Sequence, residues 1–277
     1  MVTGELKVKA NQNFCRLCGG TLSNRFSRTI LQKYNVQYYE CNECHSLQTE
    51  KPYWLDEAYT KNLSNLDTGA AQRTLNNLAA CYTVSKIFSV KNAIDIGGGD
   101  GLLCRLLRDY DINCFVKDKY AKSTYAQGFT EPDFKTPDLV VAFEVLEHYP
   151  NPQADLNDIF GYNSNFVLVS TLIYANDRED WWYLSPESGQ HVFFYSKNAL
   201  DLIATKYNYN LTISGGFILF VKKEIVSPLK TLLVKILLKS RICRIIKSFV
   251  VLLPTQSGVW KDHLSQKEKS KPNQQKR

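Results

Sequence analysis

The sequence predicts an α/β protein: an open, largely parallel sheet, preceded by a small metal-bound module and followed by an amphipathic helical segment. Three observations carry this. The stretch AIDIGGGDGLLCRLLRDY (93–110) joins a short apolar strand to an apolar-periodic helix through a glycine turn. Two Cys-x-x-Cys pairs lie within the first fifty residues. Beyond residue 228, apolar side chains recur at helical spacing among lysines and arginines.

A chain of 277 residues accommodates one large domain with attachments. Its 44% hydrophobic and 22% charged residues place it among soluble globular proteins. The net charge of +7 is unevenly distributed. Residues 222–277 hold 14 Lys and Arg against 3 Asp and Glu, a net +11, so the first 221 residues sum to −4. An enzyme of nucleic acids carries its basic face on the body, so no nucleic-acid partner is expected. The first residues, MVTGELKVKANQNF, lack the apolar run of a secretory signal, and no long uncharged apolar stretch follows. A cytoplasmic protein is expected.

Of eight cysteines, four (Cys81, Cys104, Cys114, Cys243) are scattered, while Cys15-x-x-Cys18 and Cys41-x-x-Cys44 form pairs. Without a secretory signal, such pairs read as metal ligands sooner than as disulfides. Each pair lets two thiolates meet one tetrahedral ion, and the intervening 22 residues, with the β-like YNVQYYE, suit a zinc ribbon. Zinc is favoured over four reduced thiols or an iron–sulfur site. His45 reads as a bystander. A closed four-cysteine set has no open position, so its role is structural.

The α/β unit reads in order. A strand ends at Asp95; Gly97, Gly99 and Gly101 let the backbone approach a ligand; Leu102, Leu103, Leu106 and Leu107 give the next helix its buried stripe. A second strand, NCFVKD, ends at Asp118, 23 residues beyond Asp95 and near the ~20-residue offset at which an acid meets ribose hydroxyls. A third crossover strand is placed at 127–130. The fourth, at 138–143, delivers Glu144, Glu147 and His148 to its C-terminal end, where open α/β sheets bind ligands. A fifth runs over 166–171, a helix over 196–207, and two final strands over 211–214 and 217–222, with Gly215-Gly216 between them. A dinucleotide fingerprint, G-x-G-x-x-G from Gly97, would need glycine at position 102, which is leucine.

Taken together, DIGGGDG at 95–101, the acid at 118 and AFEVLEHYPNP at 142–152 resemble the class I S-adenosylmethionine-dependent methyltransferases over about 92–223. The resemblance implies a Rossmann-like seven-stranded sheet with its last strand antiparallel. It implies that Asp95, Gly97 and Gly99, with Gly101 and Glu144 beside them, line the cofactor, and that Asp118 binds its ribose. The segment 119–137 offers no clear adenine-contacting acid.

After the fifth strand comes WWYLSPESGQHVFFYS (181–196), large aromatic faces interrupted by a few polar groups, as in a pocket wall. Its GQHVFFYS part resembles a segment of zinc-containing methyltransferases that act on nucleotide-linked sugars, in which the histidine serves as a base. His191 matches that histidine; Gln190 stands where those enzymes carry glutamate. A neutral histidine also suits proton abstraction near neutral pH on its own chemistry. His191, Glu147 and His148 are therefore the catalytic candidates. Trp181, Trp182, Tyr183, Gln190 and Tyr195 are the acceptor-binding candidates.

The expected organisation is a zinc module (1–51), a helical cap over the cofactor entrance (52–91), the methyltransferase domain (92–225), a basic amphipathic segment (226–260) and a disordered tail (261–277). Residues 228–253 are expected to meet the catalytic domain, a second copy or an anionic membrane surface, which allows a peripheral place at the inner membrane face. The expected activity is methyl transfer to a sugar or nucleotide-sugar in glycan assembly. An RNA methyltransferase and a non-catalytic scaffold are the competing readings, opposed respectively by the acidic body and by the intact DIGGGDG and Asp118.

Overall fold

The structure, a computed structural model, describes residues 14–59 and 67–270. The chain opens with β1 (Leu22–Ile30) and β2 (Tyr34–Cys41), an antiparallel hairpin, and a short β3 (Leu47–Thr49) that pairs with β2. Helices α1 (Leu55–Ala58) and α2 (Ala70–Phe88) lead into the main sheet. There β4 (Asn92–Ile96), α3 (Leu102–Asp109), β5 (Asn113–Lys117) and β6 (Leu139–Phe143) form the first half. Two single-turn helices, α4 (Pro152–Asp155) and α5 (Asn157–Phe160), precede β7 (Phe166–Ser170). Next come β8 (Phe193–Phe194), α6 (Lys197–Lys206), β9 (Tyr209–Ser214) and β10 (Phe217–Lys222). Three helices finish the described chain: α7 (Pro228–Leu237), α8 (Ser240–Leu252) and α9 (Gln256–Lys269).

The main sheet has the order β5-β4-β6-β7-β10-β9. Its first four strands are parallel, and β10 runs antiparallel to both neighbours. The β9–β10 turn needs two consecutive residues at positive φ, and Gly215 (61°) and Gly216 (90°) supply them.

The expected seventh strand at 127–130 does not form; among the described residues the main sheet has six strands. Gly128 sits at φ 80°, off the extended path, and a single hydrogen bond from the Val116 amide to the Phe129 carbonyl (3.0 Å) replaces a ladder. Phe129 instead turns inward against Phe115.

Side-chain alternation along β4 splits the core. Ala93 packs with α2, α3, α7 and α8, through Leu78, Leu107, Val234 and Val250 among others. Ile94 and Ile96 pack with Ile159 and Phe160 of α5 and Leu200 and Ile203 of α6, in a cluster that also takes in Cys15, Cys41 and Cys44. A third cluster joins the N-terminal sheet to the aromatic segment, through Tyr38, Leu47, Trp54, Tyr183 and Phe194.

Two expectations about the helices change. Most of α2, from Leu78 onward, is core packed on α3 and α8 rather than a cap. Residues 261–270, expected to be disordered, continue a helix, because Asp262 is buried in ion pairs with Arg105 and Arg108 (both 2.7 Å). Close approach makes this possible: a Cβ on Gly258 would meet the Arg108 and Asp109 carbonyls at 2.4 and 2.5 Å. The rest of the expected tail, 271–277, lies outside the described residues, as does 60–66 of the expected cap.

Candidate functional site

The glycine turn after β4 is shaped for close approach. Gly97 has φ 66°, and a Cβ there would lie 2.6 Å from Val145; Gly99 has φ 55° with nothing within 4 Å of the corresponding position. The loop is therefore tight on its inner side and open on its outer side. Gly101 caps α3. Asp118, just past β5, gathers the loop: its Oδ2 accepts from the Gly99 amide (2.9 Å), and its Oδ1 accepts from the Tyr120 and Ala121 amides (2.8 and 2.7 Å). Asp95 is buried, and its Oδ2 has no hydrogen-bond partner among the described residues. Burial, then the charge of Asp118, pushes its carboxyl up to about 7. An orphaned carboxylate beside an open glycine turn fits a ligand that brings a cationic or hydroxyl donor, as a nucleoside carrying an amino acid does.

At the C-terminal end of β6 the chain turns sharply, with Glu144 at φ 54°. A non-glycine residue held there is a local strain of the kind that clusters at functional sites. Glu144 Oε1 accepts from the Ser170 hydroxyl (2.6 Å). The Tyr183 hydroxyl lies 3.1 Å from Glu144 Oε2 and 2.6 Å from Glu147 Oε1, and so bridges the two acids. Glu147 is completely buried, and burial with the nearby charge of Glu144 pushes its carboxyl up to about 8.

His191 comes close from the other side. Its Nδ1–H donates to the Tyr183 carbonyl (2.6 Å), which fixes the tautomer and leaves the Nε2 lone pair free. The His148 ring stands 4.9 Å away at 90°. Burial, then His191, pushes His148 down to about 3, and burial also lowers His191, so both rings are neutral at pH 7. A carboxylate oxygen of Glu147 and one ring nitrogen of each histidine lie within 4.8 Å of one another.

Sequence reasoning missed Tyr59. Its hydroxyl lies 3.1 Å from His148 Nδ1, and its ring stacks on Tyr120 (4.3 Å, 6°), two residues beyond Asp118. It thus spans the cofactor loop and the histidines. Only an aromatic in the polar run WLDEAYT hinted at it. Arg73, near the start of α2, pairs first with Asp67 and also feels the charge of Glu144, so the first turns of that helix do approach the site.

The expected acceptor wall divides. Tyr183 is the hub just described. Trp181 packs between Tyr174, Tyr183 and Phe194. Trp182 is 74% exposed, edge-on to Tyr183. The Gln190 side chain is engaged elsewhere: its Nε2 donates to the Ala58 carbonyl (2.8 Å) and anchors α1. Tyr195 is fully buried, with its hydroxyl on the Leu146 carbonyl (3.2 Å), so it is part of the core rather than a contact for an acceptor. Its place follows from strand alternation: Phe193 and Tyr195 face the core of the main sheet, Phe194 the core of the N-terminal one.

Cys15, Cys18, Cys41 and Cys44 converge, with Sγ–Sγ distances of 3.7 Å (Cys15–Cys44) and 3.5 Å (Cys18–Cys41). A tetrahedral zinc with Zn–S bonds of about 2.3 Å sets its sulfurs about 3.8 Å apart. The Gly20 amide donates to Cys18 Sγ, and the Glu43 and Cys44 amides donate to Cys41 Sγ, all at 3.4 Å. Amides aimed at sulfur stabilise thiolates, so the donor set fits zinc. His45, at φ 57°, is exposed and outside the set.

The methyltransferase domain family matches residues 66–213. A search of curated protein sequences gave no match. Similar solved structures include the methyltransferase domain of bacterial CtHen1-C, at 19% identity over 53% of this chain and 97% of that one, with a TM-score of 0.38. They also include magnesium protoporphyrin IX methyltransferase from Synechocystis with S-adenosylhomocysteine bound, at 12% identity over 62% and 97%, with a TM-score of 0.43. With the glycine turn, Asp118 and the matched span in place, the chain belongs to the methyltransferase domain family and is an S-adenosylmethionine-dependent enzyme.

Proposed function

We propose that the protein transfers a methyl group to a sugar or nucleotide-sugar in glycan assembly, with one structural zinc in its four-cysteine site. The observation that supports a small polar acceptor is the Tyr183 hub. It presents two acids and two neutral imidazoles in a half-buried cluster at the C-terminal end of β6, beside the cofactor loop.

S-Adenosylmethionine, when bound, supplies an electrophilic methyl on a sulfonium, with neutral S-adenosylhomocysteine as its leaving group. The chain's own residues position and deprotonate. Asp118 and the glycine turn would hold the nucleoside part. The acceptor oxygen or carbon would supply the electron pair for the new bond to that methyl. The acceptor's proton goes to the cluster, where His191 Nε2 is the free lone pair. Proximity and alignment supply most of the rate. Purified protein incubated with labelled S-adenosylmethionine and a panel of nucleotide-sugars tests the reading. Label transfer to RNA and to none of the sugars would overturn it.

For the outer face of the C-terminal helices we propose contact with an anionic membrane surface. Leu229, Leu232, Leu233, Phe249 and Leu252 are exposed beside Lys230, Lys235, Arg241 and Arg244, in the segment that carries the chain's positive charge. Among the described residues no single helix is long and apolar enough to cross a membrane. Co-sedimentation with phosphatidylglycerol vesicles but not phosphatidylcholine vesicles is expected. Concentration-dependent dimerisation with no vesicle binding would assign the face to a second copy instead.

A further inference from the structure

We infer that Glu147, His148 and His191 form a second metal centre, distinct from the four cysteines, for one divalent cation of the manganese, iron or cobalt type. Metal binding here does not depend on the identity of the acceptor. What the cation does to the acceptor, below, rests on the methyl-transfer reading.

Four observations combine. First, the three ligand atoms lie within 4.8 Å of one another, close enough for small rotations to bring them onto one ion with bonds of about 2.0–2.2 Å. Second, the Oε2 atom of Glu147 is buried without any hydrogen-bond partner among the described residues. An orphaned buried oxygen is costly, and few native structures tolerate one without a reason. A cation would supply the missing partner.

Third, the ligands are already oriented from outside. Tyr183 holds two of them: its hydroxyl donates to Glu147 Oε1, and its carbonyl accepts from His191 Nδ1–H. Metal-ligating histidines characteristically spend their second nitrogen on a carbonyl or carboxylate in this way. Fourth, two imidazoles and one carboxylate are the donor set of mixed nitrogen–oxygen sites with open coordination positions. The set contains no sulfur, and all four paired cysteines are engaged with one another elsewhere, so the two centres differ in the metals they favour.

The sequence spacing explains how the fold assembles the centre. Glu147 and His148 sit in the single 3₁₀ turn after β6, and His191 lies two residues before the strand that joins the N-terminal sheet. The Val192 amide donates to the Glu147 carbonyl (2.8 Å), which pins the two segments together next to the ligands. The ring nitrogens and carboxylate leave further positions on the cation for oxygen donors. Two adjacent hydroxyls of a sugar acceptor would match such positions. Coordination would acidify the hydroxyl to be methylated; the His191 lone pair would then serve the cation, and the released proton would pass to solvent water.

The test is Mn²⁺ titration of the full zinc-loaded chain, followed in the histidine ring-proton region of the NMR spectrum. The chain has only four histidines, His45, His148, His191 and His263, so the readout is resolved without any variant. Sub-stoichiometric Mn²⁺ is expected to broaden the rings of His148 and His191 together and to leave His45 and His263 sharp. Electron paramagnetic resonance should show about one Mn²⁺ bound per chain, and Glu147→Gln should weaken that binding at least tenfold. Uniform broadening, broadening of His45 or His263 first, or a free-ion spectrum up to millimolar Mn²⁺ would each overturn the assignment. Calorimetry with S-adenosylhomocysteine on the same sample reports the cofactor site separately, so loss of one reading is distinguishable from loss of the other.

Discussion

Phe193 pairs with Gln48 in antiparallel register, so the strand that begins two residues after His191 is the fourth strand of the N-terminal sheet. The join is reinforced on both sides. Ser196 donates its hydroxyl to the Cys44 carbonyl, and Arg16, next to Cys15, donates to the Val192 carbonyl (2.6 Å). The cysteine cluster and the histidine cluster are therefore mechanically coupled.

From that coupling, Cys15→Ala should cost more than a metal. Elemental analysis of the native protein should find about one zinc per chain, and the variant should lose it. Hydrogen exchange should then rise at Phe193 and Phe194 as well as in β1–β3, and turnover should fall although no active-site atom has changed. Metal loss with full activity would show the module to be an independent appendage.

His191→Ala should lower turnover by about tenfold or more, in the range typical of a lost proton-transfer group or its equivalent. Affinity for S-adenosylhomocysteine should stay nearly unchanged, since among the described residues His191 meets Tyr183, His148 and Phe194 rather than the cofactor loop. Steady-state kinetics alongside calorimetry separates the two, and unaltered turnover would remove His191 from the mechanism.

Asp118→Ala removes the acceptor for three backbone amides and the expected ribose contact at once. S-Adenosylhomocysteine binding should weaken at least tenfold, about 1.4 kcal/mol. Equal affinity in calorimetry would place the nucleoside elsewhere.

Asp95 makes a pH prediction. Its carboxyl is raised in the folded protein to about 7, by burial and then by Asp118. The folded state therefore holds the proton more tightly than the unfolded state, and the resulting stability is complete at low pH and lost as pH rises through about 7. Asp95→Asn removes this dependence. Relative to the native chain, the variant should gain stability between pH 4 and pH 7, on the order of 4 kcal/mol, and plateau above. Urea unfolding at several pH values checks it. A difference constant with pH would mean that Asp95 is ionised throughout.

Asp262→Ala should destabilise the fold by about 3–5 kcal/mol, because Arg108 would keep a buried guanidinium with its main partner gone. Urea denaturation of native and variant protein gives the difference directly. A change under about 1 kcal/mol would mean that water replaces the carboxylate.

Local signals were legible in the sequence, and long-range ones were not. The glycine turn, the strands on either side and the cysteine pairs each announce themselves within a few residues, and each formed. Ser196 was recognisable as a helix start, and its Oγ does accept from the Ala199 amide (3.0 Å). By contrast, β8 is two residues long and takes its partner from about 145 positions earlier, which no periodicity encodes. Tyr195 looked like a pocket residue because aromatic content alone does not tell a wall from a core; the strand's alternation decides it. The segment 127–130 had the composition of a weak strand, and Gly128 broke it. Helix α9 was hidden because its polar surface reads as solvated, while its anchor is one buried carboxylate.

That helix bears on the missing strand. Gln266 lies against Gly128, so close that a Cβ there would be 2.8 Å from its amide, and Arg108, bound to Asp262, stacks at 3.7 Å over Phe129. Helix α9 therefore holds down the segment that covers the outer edge of β5. During synthesis every strand of the sheet is made before this cover exists. The nascent chain thus carries an open edge until residues 256–269 emerge, and an open edge invites pairing with other chains. Damage to α9 should accordingly show first as poor recovery of soluble protein from cells, before any defect appears in the folded enzyme.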